Sequence, residues 1–367
     1  MSLIKPFSGI RPKKKFAKQV TSPNLSYIDN YKQTKKLNFL NILNTPNINK
    51  SKKMLQNLSD KGIIQQDRSN HFYLYRITYN KKKLLGIIGK INLENYDDKK
   101  ILGHEETFVE RIKKRKEQLL KFNSQISPIY TAYKSSPNSF KKLNNIFKYK
   151  PDYNFKSEDN CRHELWVVKK VNIEKLLKNY LKNIRKIYIC DGHHRIQAML
   201  KSKKKIAPMI IAFPDNQVNI LDYNRVIKTS LKFEKIKKII SKNFSLNISK
   251  KNNKLKQNQI EMYVNKKWHT LQLFKQSKEL DVTILRKLIL NKILKNKKNI
   301  KFVSGFKGKK VLENFVNSKK YDLAFRLYPT NILEVLAYAD KKKYMPQKST
   351  WFHPKPLDGL ISSRIIS

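Results

Sequence analysis

The middle of the chain alternates strand and helix patterns, and this alternation restricts the fold more than any other feature. His163–Val168 is rich in β-forming residues, and Asn172–Asn183 repeats apolar residues at helical spacing. Ile187–Cys190 has the pattern of a short buried strand, Ile196–Lys203 begins a second helix, and Pro208–Phe213 is a further strand. The order is thus β-α-β-turn-α-β. For the whole chain we expect an α+β fold with a mixed sheet at its core and flanking subdomains.

The remaining segments show the same mixture. Strands are predicted at 72–78, 84–91, 128–133, 259–264, 268–273 and 321–328, and helices at 51–61, 108–122, 281–294 and 331–340. Residues 135–160 are rich in Ser, Asn, Lys and Pro, which is typical of a linker or surface loop. We therefore expect an N-terminal α+β subdomain (1–134), this linker (135–160), a central motif subdomain (161–230) and a C-terminal α+β subdomain (231–367).

Composition excludes several classes of protein. Hydrophobic residues make up 40% of the chain and aromatic residues 11%, which argues against global disorder. The longest apolar runs, such as 208–214, are too short to span a bilayer, and the N-terminus has no apolar run of signal-peptide length. We expect a cytoplasmic protein without a membrane partner. Cys161 and Cys190 cannot form a disulfide scaffold and lack the CxxC spacing of zinc sites, so no zinc is expected, and neither is haem or flavin.

The formal charge of +53 has two interpretations. The 80 basic residues comprise 12 arginines and therefore 68 lysines, spread along the whole chain, and only 9 residues are glycine. Abundant Lys, Asn and Ile with scarce Arg and Gly is the pattern of an AT-rich genome. The alternative is a functional polyanion-binding surface, and in either case we expect salt-dependent, non-specific binding of nucleic acid.

The strongest candidate site is Asp191-Gly192-His193-His194-Arg195, which directly follows a buried strand pattern. Gly192 permits a tight turn or a positive φ, and a strand-to-helix turn presents backbone N–H groups that suit an anion. Asp191 can orient a histidine or bind a cation. His193 or His194 can serve as base, nucleophile or metal ligand, and Arg195 can hold phosphate. The alternative is a capping turn whose polar side chains only satisfy the helix end.

A second candidate, His104-Glu105-Glu106-Thr107, precedes a predicted helix. Acidic residues there favour the helix dipole, which is a purely structural explanation. The functional alternative is a base or cation ligand that faces the first cluster. The spacing is not HExxH, so it does not predict a zinc protease site.

Three further segments are weaker candidates. Arg162-His163 precedes a strand, where a strand-end pair held by an acidic neighbour is the structural alternative. Lys348-Ser349-Thr350 combines a cation with two hydroxyl groups, which suits phosphate, but lysine is common everywhere in this chain. Arg11 lies in an irregular Gly-Ile-Arg-Pro segment near the N-terminus. No GxxxxGK[ST], GxGxxG or GxSxG motif is present, so P-loop, Rossmann and nucleophile-elbow sites are not supported.

Seven segments in order, PFSGIRP, GHEETF, PIYTAY, RHELWVV, IYICDGHHRIQAML, LDYNRVI and MPQKSTWFHPK, resemble the family called domain of unknown function 1015. The resemblance extends from about residue 4 to 364. Cys190 stands where family members more often have alanine. The family is found near serine-biosynthesis genes, which implies a role in serine or phosphoserine metabolism.

The DGHHR segment also resembles the phosphate-binding turn of the ParB/sulfiredoxin-like group, whose members bind CTP or ATP and include a free-serine kinase. This resemblance implies phosphate binding at Gly192, His193, His194 and Arg195, with ATP or ADP as cofactor. Three hypotheses follow: a kinase- or phosphatase-like phosphoryl-transfer enzyme for a small metabolite, a ParB-like nucleotide-dependent nucleic-acid-binding protein, and an inactive scaffold.

For the enzyme we assign catalytic roles to Asp191, His193, Glu105 and His104. Mg²⁺ is expected on Asp191 and Glu106, because carboxylates and waters are its usual ligands. Lys348, Ser349 and Thr350 are expected to add to the phosphate site, and its partner is a phosphorylated metabolite or a nucleotide.

Overall fold

The computed structural model describes residues 2–24, 27, 37–45, 47–97, 99–202, 204–250, 254–294 and 299–365. The chain forms two compact units. Unit 1 comprises Met1–Val218, Leu336–Tyr344 and Pro354–Ser367, and unit 2 comprises Asn219–Val335 and Met345–His353.

The strands of the described residues, in chain order, are β1 (Ile4–Lys5), β2 (Ile10–Pro12), β3 (Ile64–Gln66), β4 (Tyr73–Tyr79), β5 (Lys82–Ile91), β6 (Ile101–Leu102), β7 (Ser124–Gln125), β8 (Ile129–Tyr133), β9 (Tyr153–Lys156), β10 (Arg162–Val167), β11 (Ile187–Asp191), β12 (Met209–Pro214), β13 (Ile220–Leu221), β14 (Tyr223–Ile227), β15 (Phe244–Ile248), β16 (Gln259–Val264), β17 (Lys267–Leu273), β18 (Ile300–Ser304), β19 (Leu323–Leu327), β20 (Trp351–Phe352) and β21 (Ser363–Arg364).

The α-helices are α1 (Ala17–Val20), α2 (Phe39–Asn44), α3 (Ile48–Asp60), α4 (Glu94–Asp97), α5 (Val109–Phe122), α6 (Pro137–Ile146), α7 (Val171–Leu181), α8 (His193–Leu200), α9 (Phe233–Ile240), α10 (Asp281–Leu285), α11 (Asn291–Ile293), α12 (Gly308–Asn317) and α13 (Ile332–Asp340). A π-helical turn, Arg286–Leu290, joins α10 to α11. Short 3₁₀ turns lie at Lys14–Phe16, Asp215–Gln217 and Gly305–Lys307.

Unit 1 is built on a mixed sheet with the order β6-β11-β8-β12-β5-β4-β10-β9, in which β1 also pairs with β5. The pairs β6/β11 and β8/β12 are parallel, and the other pairs are antiparallel. Because β6 and β11 run in the same direction, the segments that follow them leave the sheet at the same edge. This register brings residues 103–106 beside residues 191–195.

The two faces of this sheet bury different side chains, since successive residues of a strand point to opposite faces. One face packs Leu74, Ile129 and Ile189 into a core with residues of α5, α6, α7 and α8. Tyr75 and Tyr130, one position further along their strands, are buried on the opposite face.

Unit 2 has an antiparallel six-stranded sheet with the order β15-β17-β16-β19-β14-β18 and a separate β13/β20 pair. Its helix α12 packs against this sheet through Leu312, which is fully buried beside Val226 and Ala324. No helix in the described part of the chain has both the length and the apolar character needed to cross a membrane.

The predicted α+β class with a mixed sheet is confirmed. Two expectations differ from the structure. Residues 135–160 contain α6 and β9 instead of forming a loop, because Leu143, Ile146 and Phe147 bury a helical apolar stripe that the polar composition conceals. The expected segments 1–134 and 161–230 do not form separate subdomains, since both contribute strands to one sheet and unit 1 ends its first segment at Val218.

Candidate functional site

The Asp191–Arg195 segment forms a tight turn between β11 and α8. Gly192 has a φ of 108°, and a Cβ atom there would lie 3.0 Å from Arg195 Nη2 and 3.2 Å from Ile129 Cγ2. Both the backbone conformation and the lack of space require glycine at this position. The turn ends at His193, the first residue of α8, so the helix N-terminus follows Asp191 directly.

Arg195 attaches this turn to the segment before β8. Its Nη1 donates to the backbone oxygen of Ser127 at 2.8 Å, and its Nη2 donates to that of Pro128 at 3.2 Å. Burial lowers the pKa of Arg195, Asp191 and Asp358 raise it, and Arg115 lowers it further. Arg195 therefore lies among charged groups while its guanidinium fixes the position of the turn.

His104 and His193 join the two segments that follow β6 and β11. The backbone N–H of His104 donates to His193 Nε2 at 3.2 Å, and the two rings meet edge to face with centroids 4.6 Å apart. His104 Nδ1 is 3.0 Å from the backbone oxygen of Ile189. Since His193 Nε2 accepts a hydrogen bond, a neutral His193 carries its proton on Nδ1, which lies 3.8 Å from Glu105 Oε2.

Both histidines are neutral at pH 7. Burial is the largest cause and lowers the pKa of His104 to about 3 and that of His193 to about 4. The charge of His193 also lowers the pKa of His104, whereas Asp191 raises the pKa of both. A neutral imidazole can accept a proton, but Nε2 of His193 is already engaged.

His194 faces α5. Its Nε2 accepts a hydrogen bond from the backbone N–H of Phe108 at 3.2 Å, and its ring stacks on that of Phe108 with centroids 6.1 Å apart. His194 thereby satisfies a backbone donor at the N-terminus of α5. The two adjacent histidines point to different neighbours.

Asp191 forms an ion pair with a residue that the sequence analysis did not select. Lys355 Nζ contacts Asp191 Oδ2; the lysine is 7% exposed, whereas the Asp191 side chain is 41% exposed. The backbone N–H of Lys355 donates to the hydroxyl of Tyr27 at 2.9 Å. The motif from which Lys348 was selected also contains Lys355. In the sequence, Lys355 is distinguished by its position between Pro354 and Pro356. Lysine is so common in this chain that this position alone did not select it.

The acidic candidates differ in exposure. Glu105 is partly exposed, and Glu106 is exposed in the loop that precedes α5. Glu105 lies close enough to His193 for an electrostatic interaction, whereas the expected Mg²⁺ pairing of Asp191 with Glu106 stays a prediction.

Arg11 and Arg162, two of the weaker candidates, have structural contacts. Arg11 is buried; its Nη2 is 2.5 Å from Asp67 Oδ1 and its Nη1 donates to the Tyr153 hydroxyl at 2.7 Å. Arg162 is exposed and its Nη1 donates to Asn154 Oδ1 at 2.9 Å. Arg162 thus connects the paired strands β9 and β10, and Arg11 connects β2 with β9 and with the residue that follows β3.

His163 is fully buried, and its Nδ1 is 2.7 Å from the Tyr75 hydroxyl. It lies on β10, four strands away from β8 in the sheet order, and has its own group of polar neighbours.

Lys348, Ser349 and Thr350 belong to unit 2. Lys348 Nζ lies 5.4 Å from the centre of the Tyr223 ring, and Arg225 Nη2 donates to the Lys348 backbone oxygen at 3.0 Å. Ser349 is buried and its hydroxyl donates to the backbone oxygen of Pro346. Their expected role in phosphate binding stays a prediction.

The sequence profile of a family described as "Protein of unknown function (DUF1015)" matches residues 4–288. The chain belongs to this family. The match confirms the family resemblance and includes six of the seven motifs, with both the 103–106 and 191–195 segments, whereas MPQKSTWFHPK lies beyond residue 288. No curated protein matches the chain.

Several solved structures are similar over much of the chain. SbnI with a C-terminal truncation, from Staphylococcus aureus, has a TM-score of 0.44 at 11% identity, covering 74% of this chain and 85% of its own. A conserved hypothetical protein from Pyrococcus furiosus has a TM-score of 0.42 at 12% identity, with coverages of 76% and 95%. A free serine kinase in complex with AMP has a TM-score of 0.43 at 12% identity, with coverages of 76% and 91%. Similarity this distant leaves function to be argued from the site itself.

Proposed function

We propose that unit 1 is a phosphoryl-transfer enzyme that acts on a small metabolite of the serine or phosphoserine class, with ATP or ADP as the nucleotide. The observation that carries the proposal is the turn at Gly192. It combines a helix N-terminus, the Asp191–Lys355 ion pair and the nearby Glu105 carboxylate.

The phosphate-binding part of the site is the start of α8. The helix dipole places positive potential at this end of α8, where Arg195 and Ile196 donate their backbone N–H groups to the Gly192 oxygen. Lys355 supplies a cation that burial and Asp191 hold in place. Arg195 acts as a positioning residue, since its contacts to Ser127 and Pro128 fix the turn beside which the phosphate binds.

Glu105 is the general base of the proposed reaction. It is partly exposed, and its carboxylate lies near the Nδ1 of His193. In the kinase direction the hydroxyl of serine attacks the terminal phosphorus of the nucleotide while the bond to the leaving phosphate oxygen breaks. The serine proton passes to Glu105, whose carboxylate lies 3.8 Å from the Nδ1 of His193.

Carboxylate oxygens, phosphate oxygens and water are the ligands that Mg²⁺ prefers, so we expect Asp191 and Glu106 to hold the ion together with the phosphates and water. Bound there, the ion would neutralise negative charge on the phosphates.

The assay is transfer from radiolabelled ATP or ADP to serine, together with phosphate release from phosphoserine. We expect Glu105→Gln to lower turnover by about 100-fold or more, because the base is lost while the shape is kept. Glu110→Gln is the matched control, since Glu110 is an exposed glutamate in the first turn of α5, and it should leave turnover unchanged.

Both variants should keep the wild-type circular dichroism spectrum. Wild-type protein that neither transfers phosphate to serine nor releases it from phosphoserine, with either nucleotide and Mg²⁺ present, would overturn the proposal. Equal activity of Glu105→Gln and the wild type would remove Glu105 from the mechanism.

A further inference from the structure

A second group of chemistry-bearing side chains lies at the start of β10, close to Tyr75. Asp159 lies in the turn that precedes β10, Cys161 stands directly before the strand, and His163 is its second residue. One ligand atom from each, a carboxylate oxygen, a thiol sulfur and an imidazole nitrogen, lies within 4.8 Å of the other two.

These side chains are removed from solvent, and two of their polar atoms have no hydrogen-bond partner among the residues that the structure describes. The side chains of His163 and Asp159 are 0% and 5% exposed, and Cys161 is 0% exposed. Within the described residues, His163 Nε2 and Asp159 Oδ2 accept or donate no hydrogen bond. Nε2 is 3.6 Å from Asp159 Oδ1, which already accepts from the Ser157 hydroxyl and the Cys161 N–H. Buried polar atoms without partners are uncommon, and an ion between them is one of the standard explanations.

The second ring nitrogen of His163, Nδ1, makes the kind of hydrogen bond that orients metal-binding histidines. His163 Nδ1 is 2.7 Å from the Tyr75 hydroxyl, which also accepts from the backbone N–H of Leu357 at 3.2 Å. Histidines that bind metal through one ring nitrogen almost always hydrogen-bond through the other, which fixes the ring orientation. Here Tyr75 leaves Nε2 directed toward Asp159 and Cys161.

We propose that Asp159, Cys161 and His163 bind a zinc ion. Thiolate, imidazole and carboxylate are the three ligand types that proteins use for Zn²⁺, and three protein ligands leave a fourth tetrahedral position for water or another donor. On binding, the Cys161 thiol releases its proton to solvent and the sulfur bonds to the metal. The two negative ligands balance the charge of the ion in this buried setting.

The site is independent of the proposed phosphoryl transfer, so either can fail alone. It also explains why the spacing was not recognised in the sequence. A turn followed directly by a strand supplies these ligands as D-x-C-x-H, which matches no CxxC or HExxH pattern.

The test is cobalt and zinc titration of the full-length protein after removal of metal by a chelator. We expect one equivalent of Co²⁺ to give tetrahedral visible bands and a thiolate-to-cobalt charge-transfer band in the near ultraviolet. One equivalent of Zn²⁺ should displace it. Cys161→Ser should lose the charge-transfer band, and His163→Gln should weaken Co²⁺ binding at least 10-fold.

Cys190→Ser is the matched control, because Cys190 is the other free, buried cysteine of the chain. It should keep the cobalt spectrum unchanged. The proposal is overturned if Co²⁺ gives no charge-transfer band and zinc binds at less than one equivalent, or if the band persists in Cys161→Ser. If the charge-transfer band is absent and zinc binds at less than one equivalent, Asp159, His163 and Tyr75 form a polar network without a metal.

Discussion

Gly192 is the residue on which the proposed phosphate site depends most. Alanine there would be strained at a φ of 108° and would also crowd Arg195 and Ile129. We expect Gly192→Ala to lower the free energy of unfolding by about 2–3 kcal/mol and to abolish nucleotide binding, as measured by urea unfolding and equilibrium dialysis. Gly62→Ala is the control, since Gly62 also has a positive φ but is approached only by the flexible end of Lys13.

The control should cost about 1 kcal/mol and leave nucleotide binding intact. Equal nucleotide affinity of Gly192→Ala and the wild type would show that the turn is not the phosphate site.

The two buried histidines predict a pH dependence of stability. Their pKa values in the folded protein, about 3 for His104 and about 4 for His193, lie below the ordinary value of 6.5. The unfolded chain therefore binds more protons between these values and pH 6.5, so stability is full above pH 6.5 and falls as the pH is lowered. We expect a loss of about 2 kcal/mol per histidine between pH 6.5 and 5, measured by urea unfolding.

His193→Gln should reduce this pH dependence, because glutamine can still accept from the His104 N–H without titrating. An identical pH dependence in the variant and the wild type would contradict the burial argument.

The residue types in the sequence were sufficient to select most residues of the Gly192 site, but not to predict which atoms contact each other. The sequence singled out His104, Glu105, Asp191 and His193 as candidates, and the structure brings His104 and Glu105 to His193. Their contact depends on the parallel pairing of β6 with β11, which involves residues far apart in the chain and leaves no local signal. Lys355 was missed because its contact with Asp191 also joins residues far apart in the chain, and because lysine is too common here to stand out.

At the level of elements, Arg195 connects α8 to the two residues that directly precede β8. Lysine keeps the charge but cannot reach two carbonyl oxygens with a planar fork. We expect Arg195→Lys to lower the free energy of unfolding by about 1–3 kcal/mol, since the carbonyl groups of Ser127 and Pro128 lose their donors. Arg185→Lys, at an exposed arginine between α7 and β11, is the control and should be neutral within about 0.5 kcal/mol.

Thermal and urea unfolding of the two variants give the comparison. A neutral Arg195→Lys would mean that the turn is held by its other contacts.

The predicted elements were accurate where apolar periodicity was strong. The helix expected at 108–122 is α5 (Val109–Phe122), and the strand expected at 259–264 is β16 (Gln259–Val264). Short strands such as β14 and β18 were not predicted, because their pairing is decided by partners distant in sequence. Polar composition concealed α6, although its buried residues follow helical spacing.

At the scale of the whole molecule, the division into units could not be derived from local composition. The chain leaves unit 1 after Val218, and later segments, Leu336–Tyr344 and Pro354–Ser367, belong to unit 1 again. Such returns depend on tertiary contacts and have no linker-like signature in the sequence.

The charge of +53 predicts weak binding to any nucleic acid. Because such binding is driven by release of counterions, we expect the affinity for unrelated RNA and DNA sequences to fall by at least 10³-fold between about 50 and 200 mM salt. Filter binding at the two salt concentrations measures this. A sequence preference that persists at high salt would contradict a non-specific origin and favour a nucleic-acid-binding function.

The most direct test of the account is whether a nucleotide contacts the Gly192 turn. The chain has only 9 glycines, so protein labelled with ¹⁵N-glycine gives a sparse amide spectrum in which the Gly192 signal is assigned by its loss in Gly192→Ala. Titration with ADP or ATP and Mg²⁺ should shift the signals of Gly192 and of Gly103, which lies against His193. If the Gly192 signal stays in place at concentrations of both nucleotides that saturate the protein, or if neither nucleotide binds, the phosphate site is not at this turn.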